Sequence, residues 1–174
     1  MRRVKAVPGA GRGDETRGMG RWRRVWSVPL LVLTLCVAGC GLTVPSDPQG
    51  TLDRVRGGEL RAGASASGDL VTVDGRDVGG SLAELVEGFA ESVHAKVTWT
   101  VGSEEDLVDG LEAGKLDLAI GGMTDATPWS TRVAVTRGYD SIPGAKAPVV
   151  LLVPLGENAW QAAIEGYLDQ ELAR

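Results

Sequence analysis

From about residue 51 onward, apolar and polar positions recur with two different periods. In "SLAELVEGFAESV" (81–93), Leu82, Leu85, Val86, Phe89, Ala90 and Val93 fall at helical spacing, which predicts a helix with one apolar stripe. Ser81 and Glu84 ahead of that stripe read as a capping box. "KVTWTV" (96–101) alternates and is β-branched, so it predicts a strand. "SEEDLVDGLEAGK" (103–115) opens on a capping serine and an acidic turn and closes at Gly114, a short helix. "ELRAGAS" (59–65), "LDLAI" ending at Ile120, "RVAVTRG" (132–138) and "APVVLLVP" (147–154) predict further strands. The last is the most continuously apolar and suits a strand covered on both faces. "NAWQAAIEGYLDQELA" sets Trp160, Ile164, Leu168 and Leu172 on one helical stripe. Strands alternating with helices predict an α/β three-layer sandwich, a mainly parallel sheet with helices on both faces.

The beginning of the chain follows another logic. Eight of its 18 Lys and Arg residues precede residue 25, and "VPLLVLTLCVAGC" follows. Basic, then apolar, then small is the order of a secretory signal. Its apolar part, Val28 to Ala38, falls short of the ~20 residues that span a bilayer. "VAGC" (37–40) resembles a bacterial lipobox, in which the cysteine becomes the lipidated first residue of the mature chain. Residues 1–39 are therefore expected to be a lipoprotein signal peptide, with 1–18 a mis-assigned start, since Met19 begins a signal of more usual length. Cys36 leaves with the signal. Cys40, carrying acyl chains such as palmitate, then anchors the protein to the extracytoplasmic face of the cell membrane. "GLTVPSDPQG" (41–50) reads as a tether, so residues 40–50 link the lipid to a domain over 51–174.

Removing the first 39 residues leaves 10 basic and 21 acidic groups, a net charge of −11. Such a chain lacks the basic face that nucleic-acid phosphates require. Walker, GxSxG and HExxH motifs are absent, and the mature chain has one cysteine. Glu104, Glu105, Asp106 and Asp109 read as a charged helix start, and His94 as a structural residue at a helix end. No metal, no cofactor and no catalytic residue is expected.

Candidate chemistry lies in "GGMTDATPWS" (121–130). In open α/β sheets, ligands sit beyond the carboxyl ends of the strands, and this stretch follows one. Gly121 and Gly122 are expected to let the backbone turn tightly, with Thr124, Asp125 and Thr127 facing the crevice. Those three are either a solute site or an Asx/ST turn capping the next helical turn. Ser65 and Ser67, past the first strand, face the same crevice or lie in a small-residue loop. Trp129 is either a stacking surface for a solute or a packing residue.

"TLDRVRGGELRAGAS" and "GLEAGKLDLAIGGMTDATPWSTRVAVTRGY" together resemble the family 3 extracellular solute-binding proteins of ABC importers. The family text reads as a helical "TLDRV", a strand beginning "LRVGV", then "LxxGxxDLxxGGxTxTPER". The resemblance implies one lobe of a type II periplasmic-binding-protein-like fold. Two departures qualify it. The family's receptors have two lobes, whereas here the chain passes from Tyr139 through a short loop directly into "PVVLLVP", so a single lobe is expected. The family's "TPER" arginine binds a solute carboxylate, yet Trp129 and Ser130 stand where Glu and Arg would be, and Arg132 comes two residues late.

The expected function is that of an extracytoplasmic solute-binding lipoprotein and not an enzyme. Its implied partners are a small polar solute such as an amino acid, an ABC permease and the lipid bilayer. The alternatives are a non-transporting interaction or sensing module that kept the lobe and lost the ligand, and a small dehydratase-like lyase.

Overall fold

The computed structural model describes residues 46–174. The signal segment, Cys40 and the first part of the tether lie outside the described residues. The elements are α1 (Thr51–Val55), β1 (Glu59–Ala64), β2 (Thr72–Asp74), β3 (Asp77–Gly79), α2 (Ser81–Ser92), β4 (Lys96–Val101), α3 (Glu104–Glu112), β5 (Leu118–Ile120), β6 (Ala134–Val135), β7 (Leu152–Val153) and α4 (Asn158–Leu172). A 3₁₀ turn, Pro128–Thr131, follows β5.

Five strands form one sheet in the order β4-β1-β5-β7-β6, and β2 with β3 makes a separate hairpin. The parallel pairings carry most of the sheet. β1 runs against β4 from Glu59↔Lys96 to Ala64↔Val101, and against β5 from Ala62↔Leu118 to Ala64↔Ile120. β7 joins antiparallel to β5 and to β6. The expected α/β sandwich is what forms, with helices on both faces.

Strand alternation decides which face each side chain serves. Leu60, Ala62, Ala64, Leu118, Ile120, Leu151 and Val153 point to one side, where Phe89 of α2 and Trp160, Ile164 and Leu168 of α4 cover them. Phe89 meets Trp160 and Tyr167 edge-on, with centroids 5.4 and 5.6 Å apart, the geometry aromatic quadrupoles favour. Ala119, Val150 and Leu152 point to the other side, under Leu107, Val108 and Leu111 of α3.

Three local expectations change. Ser81 does not cap α2. Gly80 holds the cap position, and the N–H groups of Ser81 and Leu82 donate to the carbonyls of Asp69 (3.3 Å) and Leu70 (3.0 Å). The Ser81 hydroxyl, freed from capping, donates to the Pro143 carbonyl at 2.7 Å. The strand expected over 132–138 shrinks to two residues, and that over 147–154 to Leu152–Val153 with bridges at Val149. At Thr136 the ladder is interrupted: its N–H donates to Leu151 O at 3.0 Å, but Leu151 N donates to the Thr136 Oγ1 at 2.9 Å, so a side chain stands where a ladder carbonyl would. Finally, residues 72–79, where no strand was expected, form the β2–β3 hairpin.

The capping box at α3 is present. Ser103 Oγ accepts from Asp106 N, and the Asp106 carboxylate accepts from Ser103 N at 3.2 Å. The Ser103 hydroxyl, followed by its backbone N–H, holds the Asp106 carboxyl below its usual range.

Residues 46–50 are hydrogen-bonded to the lobe. Glu157, fully buried at the start of α4, accepts from Gln49 N (2.9 Å) and Thr51 N (3.0 Å). Asp47 accepts in turn from Leu52 N (2.7 Å) and Trp160 N (3.1 Å). Two carboxylates thus satisfy the open N–H groups at the starts of α1 and α4.

Candidate functional site

The strand order fixes where a ligand could sit. From β1 the chain crosses by α2 to β4 on one side; from β4 it crosses by α3 to β5 on the other side of β1. The loops after β1 and β5 therefore meet beyond the carboxyl ends of their strands, the position at which open α/β sheets hold ligands. A cleft of about 400 Å³ lies there. Residues 67–70 after β1, Gly122 and Thr124 after β5, and Gly144, Lys146, Ala147 and Val149 from the segment before β7 line it.

Gly121 and Gly122 are needed for a different reason from the one expected. Neither has the left-handed backbone of a tight turn. Rather, the β1 loop crosses directly over them. A Cβ on Gly122 would stand 2.5 Å from Ser67 Oγ, and one on Gly121 would stand 3.3 Å from Ser65 Cβ. The glycine pair brings the two loops together and leaves the Ser67 hydroxyl at the cleft.

Of the six residues singled out from the sequence, Ser67 and Thr124 line the cleft. Ser65 is half-buried beside it, its N–H donating to Ile120 O at 2.9 Å. Asp125 is an exposed turn residue. Buried Thr127 caps the 3₁₀ turn, its Oγ1 accepting from Trp129 N at 3.5 Å. Trp129 faces α3: its Nε1 donates to Glu104 Oε2 at 3.0 Å, and its ring packs on the cluster under α3. Arg132 also turns to α3. Its guanidinium binds Glu112 and, at 2.7 Å, Asp109, and lies 5.8 Å from the Trp129 ring centre. These two carboxylates, Glu112 first, raise its pKa above the usual value.

Sequence reasoning missed Asp69 and Lys146. Both are exposed side chains on the cleft wall. Among the described residues, neither has an ion-pair partner within 4.0 Å.

Asp117 was also missed. It is buried just ahead of the central strand β5, at the end of the strands opposite the cleft. Arg54 and Arg61 converge on it: Arg61 gives Nε (3.0 Å), NH2 (2.5 Å) and its backbone N–H (3.0 Å), and Arg54 gives NH1 (3.2 Å) and NH2. Burial opposes ionisation of this carboxyl. The bonds from Arg61, then Arg54, outweigh burial and hold it below its usual range. This cluster fastens α1 to β1 and β5 and lies away from the cleft.

No protein-family profile and no curated protein sequence matches the chain. Solved structures do. The arginine-bound form of domain 1 from TmArgBP matches with a TM-score of 0.58 and 21% identity, over 68% of this chain and 97% of that one. A point variant of the same arginine-bound domain matches with a TM-score of 0.62 and 21% identity, over 71% and 99%. The chain shares the fold of that single domain. A longer, truncated ArgBP from T. maritima, also arginine-bound, aligns over 50% of this chain and 42% of its own length (TM-score 0.45, 24% identity).

Proposed function

We propose that the lobe binds a small polar solute of the amino-acid class in the cleft beyond β1 and β5. The observation that carries this reading is the position of the cleft at the switch point of the sheet, where open α/β sheets hold ligands. In this role the Ser67 and Thr124 hydroxyls, each able to donate and accept, supply hydrogen bonds to the solute. The fold it shares with an arginine-bound domain supports the reading. Thermal-shift titration of the purified full chain in detergent, with amino acids, polyamines and sugars, tests it. An amino acid is expected to raise the melting temperature, and Ser67→Ala with Thr124→Val to reduce that shift. No shift with any solute sinks the reading.

The proposal extends to the setting. The lobe is held by lipidated Cys40 on the extracytoplasmic face of the membrane and hands its solute to an ABC permease. The "VAGC" motif after a short apolar segment supports this. Among the described residues, no helix is long and apolar enough to cross a membrane. Cell fractionation of Cys40→Ala is the test: the variant should leave the membrane fraction, and equal retention would place the anchor elsewhere.

A second reading, an interaction or sensing module without a solute, is favoured by one feature. Trp129 and Arg132, in the stretch that resembles the family's carboxylate-binding motif, are both engaged with α3. Recovery of a bound protein partner, with every solute inert, would select it.

A further inference from the structure

We propose that Asp69 and Lys146 are the two charged poles of the cleft, and that together they select an aliphatic zwitterion: an ammonium and a carboxylate on a short hydrocarbon body. This rests on the solute-binding reading above and adds the residues that set specificity.

Two opposite charges line one cleft, and neither meets a counter-charge among the described residues. They do not pair with each other, and both stand exposed at the cleft, where a ligand can reach them. A carboxylate accepts from an ammonium and a lysine donates to a carboxylate, and such charge-assisted bonds are stronger than neutral ones. A solute with both charges uses both poles, and one with a single charge leaves a pole to water.

The surroundings fit a small aliphatic body. Leu70 and Val149 are buried at the cleft floor, and no aromatic side chain lines it. Selection by ring stacking is therefore absent from this wall. The two poles also sit on segments joined by one residue. Ser81 N donates to the carbonyl of Asp69 at 3.3 Å, and Ser81 Oγ donates to Pro143 O at 2.7 Å, three residues before Lys146. A Cβ on Gly144 would lie 3.7 Å from Asp69 Cβ, so the two walls approach closely. The backbone spacing of the poles is thereby fixed before a ligand arrives.

The test is NMR titration of the full chain in detergent with four probes: L-alanine, 4-aminobutanoate, propanoate and propylamine. The parent should bind at least one zwitterion more tightly than either singly charged probe, by about twofold to fivefold. Asp69→Asn should abolish the preference over propanoate, and Lys146→Met the preference over propylamine. Asp69→Glu and Lys146→Arg should retain both preferences. This crossed pattern is one that general damage to the fold does not produce. Preferences that survive in both Asp69→Asn and Lys146→Met overturn the poles; if Ser67→Ala with Thr124→Val still weakens binding, the solute reading itself stands. A parent that binds none of the four overturns the poles, and a thermal-shift screen inert to every solute overturns the solute reading with them.

Discussion

The indole Nε1 of Trp160 donates to the backbone carbonyl of Asp117 at 2.7 Å, from a side chain with no exposure to solvent. The last helix is thus tied to the residue on which Arg54 and Arg61 converge. An N–H that is buried must find an acceptor, and this one finds it just ahead of β5.

Trp160→Phe keeps most of the apolar packing against Phe89 but removes the donor. A buried carbonyl that loses its partner costs about 1–3 kcal/mol, so the variant should unfold about 2 kcal/mol more easily in urea. Trp160→Leu adds a cavity and should cost more, about 3–5 kcal/mol. Equal stability of Trp160→Phe and the parent would show that the bond carries no net weight.

Acid should loosen the lobe from the same region. Burial, working against ionisation, is outweighed at Glu157 by the N–H groups of Gln49 and Thr51, so its carboxyl titrates below its ordinary value of 4.5. Asp117 titrates below its ordinary 3.8 for the reason given above. Both groups hold protons less tightly when folded than when unfolded. Their contribution is complete above those ordinary values and is lost as pH falls through the lower, folded ones. Urea midpoints should therefore be flat from neutral pH to about 5 and fall below about 4. Glu157→Gln and Asp117→Asn should each be less stable at pH 7 and show a shallower acid fall. An acid fall unchanged in both variants would assign it to other carboxylates.

How far the sequence disclosed this architecture depends on how local each signal is. Trp160, Ile164 and Leu168 declare their shared face by spacing alone, and they cover the sheet as expected. Ser103 caps its helix as its position at the head of an acidic turn announced, and Asp106 completes a box with it. Ser81 and Glu84 have similar spacing, yet carbonyls of a distant loop take the N–H groups instead. A tertiary contact overrode a local pattern there. Asp117 left one readable trace, a carboxylate inside an apolar run, which in a buried strand requires a partner. Which arginines answer it depends on the β1–β5 pairing. Asp69 and Lys146 left no trace, since each alone resembles any solvated charge, and only the fold brings them to one cleft. Trp129 was readable as an aromatic near the crevice, but its orientation was decided by Glu104 on α3.

His94 ends α2 in an unfavourable backbone conformation, with φ at 58°. Ala95 N bonds to Ala90 O at 2.8 Å and His94 N to Glu91 O at 3.0 Å, the paired bonds of a Schellman cap. Gly114 holds the same position after α3, with φ at 65° and the matching bonds Lys115 N to Gly110 O and Gly114 N to Leu111 O. A side chain in this conformation costs roughly 1–2 kcal/mol, which glycine avoids at some cost in unfolded-state entropy. His94→Gly should therefore stabilise the lobe by about 0.5–1 kcal/mol and raise its melting temperature by a few degrees, about 2–4 °C. A lower melting temperature would show that the histidine side chain makes a contact worth more than the strain.

Affinity follows from how wet the cleft is. Asp69, Lys146 and Gly122 are exposed and the hydroxyl residues Ser67 and Thr124 are half-buried, so every bond to a solute replaces one to water. Each neutral hydrogen bond then yields about 0.5–1.5 kcal/mol net, and each exposed charge pair about 0.2–1 kcal/mol. Two of each give roughly 1.5–5 kcal/mol. A dissociation constant near 1 mM corresponds to about −4 kcal/mol, so millimolar binding is the expected range for one copy of the lobe alone. Arg132 adds nothing to this, being held by Asp109 and Glu112. Isothermal calorimetry against the amino-acid panel measures it directly. A micromolar constant in a monomeric sample, weakened by Thr124→Val, would mean that the cleft excludes water far better than its exposed lining implies.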